Sequence, residues 1–164
     1  MAKNNKEYSR VIPVWKFIFL TFVTFGIYEI CWFYKNWKFF KEKDKLDISP
    51  FWRAIFAPFF IHGLFKKILE LTKKEGYRES FSAGWLTSYW IIISYLWKLP
   101  DPYWLISFLS FLPLISPLQA MNFYWNKKKP NLPMKSFSWW QILLIILGIL
   151  VFMLALIGTF MPEI

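Results

Sequence analysis

Cysteine and histidine are all but missing from this chain: its 164 residues hold one of each, Cys31 and His62. A lone cysteine excludes an intrachain disulfide and leaves the redox compartment unmarked. A lone histidine excludes a multi-histidine metal site, and Cys31 and Glu29 stand at no ligand spacing from it, so neither a metal nor a cofactor is expected. Acidic residues are scarce as well, 10 against 20 Lys and Arg, for a formal charge of +10. In and beside the apolar runs the ionisable groups thin to Glu29, Arg53, His62 and Asp101, and no serine is paired with His62 in a nucleophilic motif. The chain is therefore expected not to be an enzyme. No groove-reading motif accompanies the positive charge, which argues against a nucleic-acid partner. Internal repeats and low-complexity stretches are absent, and the first apolar run lacks a small-residue cleavage site, so it is expected to persist in the mature protein.

What the chain does have is apolar length. From Phe137 to Met161 every residue is uncharged, in FSWWQILLIILGILVFMLALIGTFM. As a helix this run would measure roughly 37 Å, against a bilayer core of about 30 Å. Hydrophobic residues make up 57% of the sequence and aromatics 23%, more than one soluble core requires. Many Trp residues stand at the ends of apolar runs, where an amphipathic ring suits the headgroup level.

These patterns predict an all-α integral membrane protein, one domain over residues 1–164. Residues 11–34 form a first apolar segment. Ser49 and Pro50 open an amphipathic helix over 49–76, kinked at Pro58 and Gly63, with Leu64, Phe65, Ile68, Leu69 and Thr72 on one face. Residues 83–97 and 103–123 form a transmembrane hairpin joined by KLPDP, and 137–161 form the final span. Cytoplasmic loops retain Lys and Arg, which ranks the topologies. If both N-terminal segments cross, seven of the 20 basic residues lie outside; if only the first crosses, five; if neither crosses, Lys98 alone. The expected small bundle therefore has two re-entrant or interfacial N-terminal segments, a cytoplasmic N-terminus and an external C-terminus.

Several residues are candidates for function. A carboxylate inside an apolar run is costly, so Glu29 would carry a proton or pair with a cation; it could instead stay wet near Lys35 or form a structural pair with Arg53. His62 is expected to cap the apolar part of its helix. Lys35, Lys38, Lys41, Lys66 and Lys67 border aromatic sequence and could gather anionic headgroups. Gly148, Ala155 and Gly158 put small residues on one side of the final span, a surface for close helix packing or dimerisation.

The stretch TFGIYEICWFYKNWK (Thr24 to Lys38) has a Gly-hydrophobic-Tyr element and then an aromatic cluster ending in Tyr-Lys. It resembles the signature of a family of small bacterial inner-membrane proteins known as a domain of unknown function. The likeness covers chiefly the first third of the chain, and Cys31 stands where that pattern has an aromatic. It implies a bacterial cytoplasmic (inner) membrane location and no established activity. The expected role is non-enzymatic, through anionic membrane lipids, a homo-oligomer or a membrane-protein partner. The alternative is a small oligomeric channel or transporter with Glu29 in a polar path.

Overall fold

The computed structural model describes residues 10–130, 132–134 and 136–160, without the side chains of residues 155, 156, 159 and 160. Lys3, Lys6, Met161 and the expected external C-terminus at residues 162–164 lie outside the described residues. All regular elements described are helical: α1 (Val14–Val23), α2 (Ile27–Asp44), α3 (Pro50–Ile55), α4 (Ala57–Lys74), α5 (Ala83–Tyr95), α6 (Ile115–Lys128) and α7 (Trp139–Phe160). Two 3-10 stretches, Leu96–Lys98 and Tyr103–Leu114, flank the KLPDP turn.

The first apolar run is two helices, and α2 reverses on α1. Thr24, Phe25 and Gly26 make the turn: the Gly26 N–H donates to the Thr21 carbonyl at 2.9 Å, and Phe25 and Gly26 take φ of 51° and 81°. Gly26 occupies the left-handed region at no Cβ cost, whereas for Phe25 it costs about 1–2 kcal/mol. The Phe25 ring packs on Phe108 and Phe152, at centroid distances of 5.2 and 6.0 Å. Past the turn, Phe17 of α1 meets Tyr28 and Trp32 of α2, both at 5.8 Å, as an antiparallel helix pair requires.

Buried residues of α2 recur as Tyr28, Glu29, Trp32, Phe33, Asn36, Trp37 and Phe40, an unbroken 3.6-residue stripe. That stripe carries the helix through the lysine-rich stretch to Asp44, while Lys35, Lys38 and Lys41 stay on its exposed side. The register also puts Glu29 into the core.

The helix expected over 49–76 breaks at Phe56, two residues before Pro58 and about two turns before Gly63. Pro58 sits in the opening turn of α4, where its missing N–H costs nothing, and Gly63 lies inside unbroken helix. The buried face of α4 includes Ile61, Leu64, Phe65, Ile68, Leu71 and Thr72; Leu69 is half-buried.

Helix α5 starts at Ser82, whose Oγ accepts from the Trp85 N–H at 3.3 Å. Its main neighbour is the Tyr103–Leu114 stretch, and α6 packs beyond it on α4. The tighter winding makes the second arm long, about 24 Å for the 3-10 part and about 21 Å for α6. One arm thus spans both α5 and α4. Among the described residues, the element Tyr103–Lys128 is long and apolar enough to cross a membrane, by length and composition.

Helix α7 runs parallel to α1: Phe137 lies 6.2 Å from Trp15, and Phe152 lies 5.4 Å from Phe22. It passes the end of α1 at Gly148 and continues for about 18 Å. Most of its apolar side chains are exposed, among them Ile146, Leu150 and Leu154.

Candidate functional site

The bundle has two chemically distinct ends. At one, Ile12 and Asn122 exchange two hydrogen bonds: the Ile12 N–H donates to Asn122 Oδ1 at 2.9 Å, and Asn122 Nδ2 donates to the Ile12 carbonyl at 2.7 Å. This clasp holds the start of α1 on α6. Phe39 of α2 packs on Trp125 of α6 at 4.9 Å, closing a third side.

Between these elements lies a cavity of about 410 Å³. Four basic side chains line it: Arg10 before α1, Lys16 on α1, and Lys35 and Lys38 one turn apart on α2. Glu42 is the one acid among the described residues that line it. Lys16 is buried, its ammonium 4.3 Å from the centroid of Phe137, and the Arg10 guanidinium lies 4.7 Å over Trp125. Neutral donors complete the wall, chiefly Asn122 and Gln141, whose Nε2 reaches the Tyr28 hydroxyl at 3.4 Å. Cations set against aromatic walls, with little acid, suit an anionic group carrying an apolar part.

At the other end Glu29 is 3% exposed. Trp90 Nε1 on α5 donates to its Oε2 and Ser110 Oγ to its Oε1, both at 2.7 Å. The carboxylate also occupies the first turn of α2, where the helix dipole favours negative charge. Beside it is a cavity of about 390 Å³ that includes Thr21, Ser94 and Ser107 with aromatic walls. Among the described residues the two cavities share no lining residue.

The candidate polar residues are not brought together. Glu29 neither stays wet nor pairs with Arg53: the Arg53 guanidinium stacks 4.6 Å from Trp37 and 5.0 Å from Phe60, and the Glu29 oxygens are taken by Trp90 and Ser110. His62 is exposed, close to Gly84 of α5. The five candidate headgroup lysines divide as well. Lys35 and Lys38 line the basic cavity, Lys38 and Lys41 border a shallow recess near Pro50, Lys66 is exposed, and Lys67 pairs with Asp44 at 3.1 Å. Gly148 packs against α1, whereas Gly158 has open space around it. The side chain of Ala155 lies outside the described residues. Among the described residues, no group of three His, Cys, Asp or Glu could hold a metal ion.

The sequence reading missed Arg10, Lys16, Asn122 and Gln141 as one site, and Trp90 and Ser110 as the partners of Glu29. One signal was available: Lys16 and Glu29 are the charges that interrupt the first apolar run, and each sits in a cavity. Compared with family models, characterised proteins and solved structures, the chain matches none.

Proposed function

We propose that this protein is embedded in the bacterial cytoplasmic membrane and acts without catalysis, by holding an anionic lipid headgroup in the basic cavity. The observation that carries this reading is the convergence of Arg10, Lys16, Lys35 and Lys38 on one cavity with, among the described residues, a single acid in its wall. Trp15, Trp139 and Trp140 are exposed at the same end, as an interfacial aromatic belt would be. Helix α7, about 33 Å long with an exposed apolar surface, is long enough to cross about 30 Å of hydrocarbon.

Helix α1 is about 15 Å long, too short to cross. The α1–α2 pair then enters from the basic side and returns, which keeps the basic end cytoplasmic as Lys and Arg retention requires. The exposed flank of α7 leaves room for a second copy or a membrane-protein partner.

The channel or transporter reading needs a polar route joining the ends. Between Lys16 and Thr21, α1 turns Phe17 and Leu20 inward, both fully buried, and this favours binding over passage.

The test uses the full chain in mild detergent, exposed to mixed phosphatidylglycerol and phosphatidylcholine and then repurified. Wild-type protein is expected to retain phosphatidylglycerol preferentially. Each of Lys16→Gln, Lys35→Gln and Lys38→Gln should weaken that preference about fivefold, the equivalent of about 1 kcal/mol per cation. Equal losses from Lys66→Gln and Lys73→Gln on exposed α4 would mean general charge attraction and overturn the cavity's role.

A further inference from the structure

The cavity beside Glu29 has a chemistry opposite to that of the basic one. Among the described residues its lining holds a buried carboxylate and no basic side chain. Lys98, in the adjoining turn, instead packs outside, 5.3 Å over Tyr95 and 5.8 Å over Trp97. A buried carboxylate is ordinarily matched by a cation, because the hydrogen bonds from Trp90 and Ser110 offset only part of its lost hydration. An anionic ligand would be repelled.

A second observation is independent of the charge. Thr21 is 2% exposed, lines the same cavity, and its Oγ1 has no hydrogen-bond partner among the described residues. Buried hydroxyls almost always have one, so an unpartnered one on a residue that lines a cavity marks a place for a ligand donor. The remaining walls are aromatic: Trp97 and Trp104 near the KLPDP turn and Phe108 deeper, with Trp104 and Phe108 at 5.8 Å. Ring faces attract cations and shelter alkyl groups, whereas a small metal ion wants several oxygens. Trp97 is largely exposed, which places an entrance on the side of the turn.

We infer that this cavity binds a primary alkylammonium group, its charge set against Glu29, an N–H donated to Thr21 Oγ1, and its alkyl chain against Trp104 and Phe108. The ammonium could be that of a free amine or of an ethanolamine headgroup; the recognition chemistry is the same. A quaternary ammonium would satisfy the carboxylate and the rings but leave Thr21 unpartnered. The site is independent of the basic cavity and of any role for it.

The test is calorimetric titration of the full chain in mild detergent with ethylammonium chloride, with tetramethylammonium and sodium chloride as comparisons. Saturable binding of ethylammonium at one site per chain is expected, weakened about tenfold or more by Glu29→Gln, as loss of a desolvated cation's counter-charge would give. Thr21→Val keeps the shape and should weaken ethylammonium about threefold or more while sparing tetramethylammonium. If Glu29→Gln does not fold, Thr21→Val and Trp104→Leu decide, and unchanged binding in both overturns the assignment. Sodium binding as tight as ethylammonium, or no saturable binding by folded wild-type protein to either ethylammonium or phosphatidylethanolamine in nanodiscs, also overturns it. Loss of the ethylammonium signal in phosphatidylethanolamine nanodiscs would identify the headgroup as the source, and an undiminished signal the free amine; both support an ammonium site.

Discussion

Gly148 of α7 faces the main-chain carbonyl of Val23, the last residue of α1, so closely that a Cβ placed on it would overlap that group. The contact sets where α7 crosses α1 and brings Phe152 onto Phe22 and Phe25 at 5.4 and 6.0 Å. Backbone rather than a flexible side chain is in the way, so the helices must separate to admit a methyl group. Gly148→Ala should destabilise the fold by about 1–3 kcal/mol, the usual cost of overpacking. Gly158→Ala, on the same helix with nothing within 4 Å, should be neutral or stabilising. Unfolding midpoints in detergent check the pair, and equal midpoints for both variants would contradict the contact.

Glu29, Trp90 and Ser110 form one buried network drawn from α2, α5 and the 3-10 stretch. Ser110→Ala or Trp90→Phe leaves a carboxylate oxygen short of a donor, at about 1–3 kcal/mol each. In a Glu29→Ala background the Ser110→Ala cost should fall below about 1 kcal/mol, because the acceptor is already gone. Denaturation of the two single variants and the double variant measures the coupling. Strict additivity would mean that the hydrogen bonds contribute little.

The sequence made the helices legible and the network illegible, for physical reasons. Local signals act within a few residues: proline opens α3, Gly26 permits the α1–α2 turn, and KLPDP reverses the chain. Glu29 meets partners 61 and 81 residues away, set by packing alone. The α2 stripe was present in the spacing of Tyr28, Trp32, Asn36 and Phe40, but the intervening lysines masked it as a helix end. Likewise the basic cavity draws on α1, α2, α6 and α7, so lysine clusters along the chain could not reveal it. The tight winding of Tyr103–Leu114 had no such local signal beyond Pro102 before it and Pro113 within it.

The ends of α4 and α6 are joined at Glu75, whose carboxylate meets Lys128 Nζ at 2.9 Å and Lys127 Nζ at 3.4 Å. The hydrogen bond from Lys128, seconded by Lys127, holds the Glu75 carboxyl below its ordinary value of 4.5. A lowered folded value means that the clip is fully formed above the unfolded value and is lost as pH falls through the folded one. Hydrogen exchange at Gly76 and Tyr77 should therefore stay flat from neutrality down to the ordinary carboxylate range and quicken below it, after correction for intrinsic rates. Glu75→Gln should remove that acid step. Because the pair is exposed, salt should weaken it as well.

The reversal at Thr24–Gly26 makes a topological prediction that charge counting could only favour. With α1 and α2 antiparallel, residues near Arg10 and Lys43 belong to the same end, and Glu75 is tied to α6 at Lys127 and Lys128 beside them. The KLPDP turn lies at the opposite end, beyond Glu29. In a Cys31→Ser background, single cysteines at Arg10, Lys43 and Lys73 should react with an impermeant maleimide only in inverted vesicles. A cysteine at Asp101 should react only in right-side-out vesicles. Labelling of Arg10 and Lys43 from opposite sides would require α1 and α2 to form one continuous span, with Phe25 and Gly26 in helical geometry. That outcome would take Glu29 away from Trp90 and Ser110 and remove the ammonium cavity with it, so the labelling pattern also tests the arrangement on which that site depends.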